Sequence, residues 1–296
     1  MAKVSILMNA YNAQEYLREA IDSIYAQTFE DWEIVFVDNC STDETKNIVQ
    51  SYDDKIKYYK TDHNIPLGAA RNFGLQFCKA PYIAFLDTDD IWLKNKLDTQ
   101  INVMDKNTDY ELCYGGVIYI DNFGKEIGKL IPKASSGNVF SQQLKRYEIN
   151  MQSVLLRNSG EINISENLRH SPDYDLFMKI ASKSNIYVIK EYVVKYRKLE
   201  NSLTSKNIDV WWIEMKSTLD KIFLQNNELK KMYPREYKMA YAKVAYYKAQ
   251  YLLSKNNNEE ASRELSKYKF VHINYFLLYI ISFFPRQVWN FIHGKY

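Results

Sequence analysis

Four short apolar segments, each ending in a polar loop and each followed by a stretch of helical spacing, limit this chain more than any other feature. Residues 3–8 (KVSILM), 32–37 (WEIVFV), 56–59 (IKYY) and 82–86 (YIAFL) read as strands buried in a sheet. Between them, residues 15–27 put Tyr16, Ala20, Ile21, Ile24 and Tyr25 on one helical face. Ser41 or Thr42 is suited to cap a helix beginning near Glu44, and residues 67–79 are again helical. This alternation predicts an α/β fold with a mostly parallel central sheet and helices on its faces. Such sheets bind ligands beyond the carboxyl ends of their strands. Residues 9–12 (NAYN), 38–43 (DNCSTD) and 87–90 (DTDD) are the polar clusters at those ends.

The rest of the chain is less regular. A helix is expected from Trp92 to about Lys106, a strand over 112–120 and a turn at 121–124 (DNFG). A short strand over 153–157, a helix over 171–181 and a strand over 187–194 follow. From Ile208 onward the pattern is helical, with Pro234 placed at a helix start and a hairpin over 240–265 turning at residues 256–258 (NNN). The expected division is 1–206 for the α/β domain and 207–296 for a helical C-terminal extension. From Asn207 onward there are 14 Lys and Arg against 8 Asp and Glu, so the tail carries 14 − 8 = +6; the total is +3, so the front carries 3 − 6 = −3. A basic tail suggests an anionic surface as partner, and no nucleic-acid recognition motif accompanies it. Cys40, Cys78 and Cys113 lack metal-ligand spacing, and residues 1–6 run straight into a strand with no signal-peptide pattern. Both facts fit a reduced, cytoplasmic compartment.

Asp87-Thr88-Asp89-Asp90 is the densest charge cluster at a strand end. Carboxylates crowded on one turn repel one another unless a cation sits among them. Hard oxygen ligands there suit Mg²⁺ or Mn²⁺ carrying a diphosphate. The same acids also suit the start of the helix after Trp92, Asp90 above all.

The ordered set of motifs resembles glycosyltransferase family 2, whose members have the GT-A nucleotide-binding fold. The matching segments are residues 9–12 (NAYN), 23–28 (SIYAQT), 38–43 (DNCSTD), 68–72 (GAARN), 84–92 (AFLDTDDIW), 173–179 (DYDLFMK) and Tyr196-Arg197, spread over about residues 3–204. The resemblance implies an inverting transfer from a nucleotide-sugar donor, most simply UDP-linked, to a hydroxyl of a glycan or polyprenyl-linked glycan acceptor in cell-surface polysaccharide synthesis. It implies a nucleotide site built from Ala10, Tyr11, Asn12, Asp38, Arg71, Asp87 and Thr88. Asp38 would accept an N–H of the base, Tyr11 would flank it, and Asp87 would face the ribose. Asp89 would hold Mn²⁺ or Mg²⁺, and Asp173 would be the general base, with Asp175 its rival. The pattern departs in three places: Asn39 replaces a usual Asp, Pro172 a usual Glu, and Leu199 a usual His, for which His170 or Arg197 would compensate.

Residues 270–284 (FVHINYFLLYIISFF) are almost wholly apolar yet shorter than the roughly 20 residues a bilayer span needs. Pro285-Arg286 ends the run, and Val288, Trp289, Phe291 and Ile292 continue an apolar face among Arg286, His293 and Lys295. An interfacial helix at the inner face of the cytoplasmic membrane is expected. Two other readings compete. A nucleotidyltransferase would want a Gly-rich phosphate loop and a Lys near the first strand, and residues 9–12 offer neither. A catalytically inactive nucleotide-sugar-binding module of the same fold would account for Pro172 and Leu199.

Overall fold

The computed structural model describes residues 1–199 and 208–284. The N-terminal alternation forms as expected: β1 (Val4–Ala10), α1 (Leu17–Tyr25), β2 (Trp32–Asp38), α2 (Thr45–Gln50), β3 (Ile56–Lys60), α3 (Leu67–Leu75) and β4 (Tyr82–Phe85). These four strands are mutually parallel in the order β3-β2-β1-β4. β1, β2 and β4 are apolar on both sides because helices cover both faces of the sheet, while β3, at its edge, is half exposed. Ile6, Met8, Ile34 and Phe36 are fully buried together with Leu17, Ile21 and Ile24 of α1.

One local expectation fails. α2 starts at Thr45, and neither Ser41 nor Thr42 caps it; Asp43 accepts from the Thr45 amide instead. Ser41 and Thr42 are drawn across to the first loop, where the Asn12 amide donates to the Ser41 hydroxyl and the Asn12 side chain accepts from the Thr42 amide. A contact distant in sequence outbids the local cap.

Beyond β4 come β5 (Ile91–Trp92), α4 (Lys96–Lys106), β6 (Tyr110–Ile120), β7 (Glu126–Leu130), α5 (Phe140–Lys145), a single 3-10 turn (Met151–Ser153), β8 (Val154–Arg157), α6 (Pro172–Ala181) and β9 (Asn185–Arg197). β8 continues the sheet antiparallel to β4, β6 lies between β8 and β9, and β5 closes the edge antiparallel to β9. β6 and β9 run parallel through three register shifts, so parallel pairing still accounts for most paired positions in the sheet. The helices α7 (Ile208–Gln225), α8 (Glu228–Met232), α9 (Pro234–Ser254), α10 (Asn258–Ser266) and α11 (Ile273–Ile281) follow. Pro234 opens α9, and the hairpin turns at Asn256, whose φ is +59°. The Asn257 side chain caps α10 through the Glu260 amide.

The chain divides into two compact units. Of the described residues, the first holds 1–139 and 148–199 and the second holds 140–147 and 208–284. The expected boundary at 206/207 lies outside the described residues. In the second unit, α5 packs through Phe140 on Phe223 and Tyr233, and Lys145 pairs with Glu236 at 3.0 Å.

Candidate active site

The first two strand-end loops are laced together. Besides the Asn12 bonds, the Ala13 amide donates to Thr45 and the Gln14 amide to Asp43. Asn12 sits at φ +51° and Cys40 at φ +65°, a backbone region that L-residues adopt only when surroundings hold them there. Ala10 is buried, and Tyr11 stands out at 57% exposure, its ring open to a ligand. Asp38 is different. It is completely buried, and its carboxylate accepts from the Ser41 amide (2.7 Å) and the Tyr58 hydroxyl (2.5 Å). Through these two bonds Asp38 ties the loop after β2 to β3. Asn39 is likewise engaged, its amide pairing with both the N–H and the C=O of Ile65.

The acidic turn after β4 sorts its three carboxylates into different jobs. Asp87 is clamped: Arg71, on α3, donates to one oxygen at 2.9 Å, and Gln152 donates to the other while accepting from the Asp87 amide at 3.1 Å. Asp90 is buried and accepts from the Arg197 amide at 2.7 Å, with its second oxygen unpartnered; it does not cap the following helix, contrary to expectation. Burial first, then the neighbouring charges of Asp89 and Asp87, push its carboxyl well above the usual range. Asp89 is half-buried, and no other described residue donates to its carboxylate. Burial and the charge of Asp87 raise it to about 6. Thr88 lies half-buried between the two acids.

Asp173 stands in the first turn of α6, whose N1 position is Pro172. Burial raises its carboxyl, opposed by the nearby Arg71 guanidinium; Asp87 also bears on it. Asp173, Arg71 and Asp87 thus share one electrostatic neighbourhood. Asp175 does not join them. It is fully buried, and its carboxylate is spent on Lys179 and Ser165. α3 also fastens the loop leading to α6. Asn72 donates to the Ile164 carbonyl and accepts from the Ile164 amide, and Gly68 lies so near that a Cβ would sit 2.8 Å from the Ser165 carbonyl oxygen. Tyr196, on β9, feels all four acids: burial first, then Asp90, Asp87, Asp89 and Asp173 all push its hydroxyl up.

Two residues acquire roles that motif reading does not convey. Gln152 is buried on the 3-10 turn, and that turn is gripped from the core by Trp92, Gln100 and Lys96, which donate to the carbonyls of Gln152, Ser153 and Val154. No sequence signal marks it, because its partner lies 65 residues away. Arg197 is buried and consumed internally by the carbonyls of Asp89, Asp121 and Asn122 and by Glu19. It braces the acidic turn from behind and leaves little to offer a diphosphate.

Among the described residues, no group of three or more His, Cys, Asp or Glu is arranged to hold a metal ion by itself. A carboxylate to which no other described residue donates, Asp89, is nevertheless what Mg²⁺ or Mn²⁺ requires when substrate phosphates and water complete the shell. The residues present therefore fit such a cation together with a diphosphate.

The glycosyl transferase family 2 model matches residues 5–161, more than half of the chain. The chain belongs to this family. Its relatives include the UDP-Glc:alpha-D-GlcNAc-diphosphoundecaprenol beta-1,3-glucosyltransferase WfgD of Escherichia coli, 33% identical over 68% of this chain and 79% of that one. An uncharacterized glycosyltransferase of Rickettsia felis is 36% identical over 66% of this chain, which spans only 34% of that relative's length. Among solved structures, Staphylococcus aureus TarS 1-349 in complex with UDP superposes with a TM-score of 0.67 at 18% identity, covering 99% of this chain and 92% of that one. That likeness establishes the GT-A fold for this family 2 chain.

Proposed function

We propose that this protein is an inverting glycosyltransferase that moves a sugar from a UDP-linked donor to a hydroxyl of a lipid-linked glycan in cell-surface polysaccharide synthesis. The carrying observation is the sorting of the acids: Asp89 with no other described residue donating to it, Asp87 clamped, and Asp173 sharing their field through Arg71. In this reading residues 1–206 carry the chemistry. The nucleotide lies over Ala10, Tyr11 and Asn12, with Tyr11 against the base and Thr88 and Asp87 toward the ribose. Asp38 supports that loop from below. Asp89 holds Mn²⁺ or Mg²⁺, which when bound neutralises charge on the diphosphate leaving group. Asp173 takes the proton from the acceptor hydroxyl as that oxygen attacks the anomeric carbon. Its burial raises its basicity for this task. A single displacement with one base inverts the anomeric centre. WfgD, named for a UDP-Glc donor and a diphosphoundecaprenol-linked acceptor, supports this donor and acceptor class.

The test is nucleotide release from a panel of UDP- and GDP-sugars with Mn²⁺ or Mg²⁺, with and without a diphosphoundecaprenol-linked sugar. Metal-dependent UDP release from one donor supports the reading. Absence of metal-dependent UDP binding in calorimetry overturns it in favour of a non-catalytic module. Gln152→Leu tests the clamp within this reading. It removes both amide bonds to Asp87 and is expected to weaken UDP binding about tenfold, the scale of one lost hydrogen bond to a charged group. The calorimetric affinity checks this, with circular dichroism to confirm the fold. In this reading residues 207–296 meet the inner face of the cytoplasmic membrane, where such an acceptor resides.

A further inference from the structure

Among the described residues, no helix is long and apolar enough to cross a membrane. α11 is nonetheless the most apolar helix of the second unit, INYFLLYII, and none of its residues is buried. One side does pack: Leu278, Tyr279 and Ile281 rest against the small core of Ala249, Leu252, Leu253, Ala261 and Leu265 between α9 and α10. Tyr275 is half-buried, and this desolvation, with Tyr246 nearby, pushes its hydroxyl up to about 12. The helix is fixed at both ends. The His272 ring caps it through the Asn274 amide, and the Asn258 side chain donates to the carbonyls of Ser282 and Phe284 beyond it.

The opposite side is bare. Ile273, Leu277 and Ile280, spaced to share one face of α11, are 61%, 49% and 40% exposed, with Phe270, Phe283 and Phe284 flanking the helix at 83%, 62% and 49%. Three of these six large apolar side chains stand on α11 and three flank it, and together they far exceed the scattered exposure normal for a soluble surface. The stretch of sequence that carries this face has charges of one sign. Residues 265–296 contain no Asp or Glu, and they carry Lys267, Lys269, Arg286 and Lys295. Lys267 pairs with Glu264, while Lys269 lies over the rings of Phe270 and Tyr279. α11 has nine residues and so is about 14 Å long, less than half a bilayer core.

We infer that α11 lies flat in the interface of an anionic lipid bilayer, with Ile273, Leu277, Ile280 and Phe284 inserted among the acyl chains and Lys269 at the headgroups. A second copy of the chain would meet the same positive charge, which disfavours self-association; anionic lipid complements it. This deepens the proposed function by naming the surface that meets the membrane. It rests on that reading for its purpose, while the contact stands on the helix itself.

The test is flotation of the full chain with vesicles of equimolar phosphatidylglycerol and phosphatidylcholine, against phosphatidylcholine alone. Wild type is expected to float with the anionic vesicles. A Leu277→Glu, Ile280→Glu double variant, both sites being exposed, is expected to lose at least about tenfold of the bound fraction with its circular dichroism unchanged. Equal binding by the double variant, or no binding by wild type, overturns the inference. So does a wild-type oligomer that the double variant dissolves, which assigns the face to a second copy. UDP calorimetry on the same preparations reads the transferase proposal separately: vesicle binding without UDP binding sinks the enzyme and keeps the lipid contact.

Discussion

Replacing Asp173 by asparagine is expected to cut transfer about 10³-fold while leaving metal-dependent UDP binding unchanged. A positioned general base contributes 10²–10⁴ to rate. Asp173 comes from α6 and not from the turn that carries Asp89, so the cation's ligand is kept when the base is lost. The loss should therefore fall on kcat rather than on donor affinity, measured by steady-state kinetics beside calorimetry. The pH dependence has a definite sign. Burial raises the Asp173 carboxyl, so the base is protonated at a higher pH than a free aspartate, and activity should fall on the acid side of neutrality. Asp175→Asn, by contrast, removes a buried partner of Lys179 and Ser165, and its effect should appear first in thermal stability.

Asp89→Asn is the second large effect. The substitution keeps the shape of the turn and removes the carboxylate assigned to the cation. Metal stimulation of UDP binding should vanish, and transfer should drop below detection. In wild type, proton and metal compete for this group, so metal-dependent affinity should decline as pH falls through about 6. Stability runs the opposite way. The folded carboxyl is raised to about 6, above the ordinary ~3.9 of an unfolded chain, so the folded state binds the proton more tightly. Wild type should lose stability as pH rises from about 4 to about 6, by up to ~3 kcal/mol. The asparagine variant has no such group to ionise. At pH 8 it should melt at or above the wild-type temperature while inactive, which thermal scans at pH 4 and pH 8 would check. A site that sacrifices stability for its ligand behaves in this way.

The parts of this architecture that could be read in advance are those whose signal is local. β1, β2 and β4 announce themselves as apolar runs because helices on both faces leave no side of them wet. Pro172 and Pro234 mark helix starts because a missing N–H costs nothing at N1. β5 escaped because two residues carry no periodicity; Ile91 and Trp92 are strand only by pairing with Lys195 and Val194. The same holds for the site. Asp87, Asp89 and Asp173 stand out as clustered acids at strand or helix ends. That Asp38 is an internal brace, that Gln152 clamps Asp87, and that Arg197 is spent behind Asp90 depend on hydrogen bonds from residues remote in sequence. Asp89 and Asp90 are adjacent and chemically identical, yet the fold alone decides which keeps a carboxylate to which no other described residue donates.

The excursion of α5 into the second unit bears on any attempt to shorten this protein. Phe140 and Leu144 are buried, with Phe140 against rings contributed by α7 and the start of α9, although α5 precedes the 3-10 turn that carries Gln152. A fragment stopped after residue 206 would keep α5 and lose its cover, leaving a sticky helix spliced only a few residues before the clamp on Asp87. Trimming the tail to obtain a tidy catalytic core would therefore invite aggregation and slacken the donor site at once. A shortened version would have to begin by repainting Phe140 and Leu144 with polar side chains.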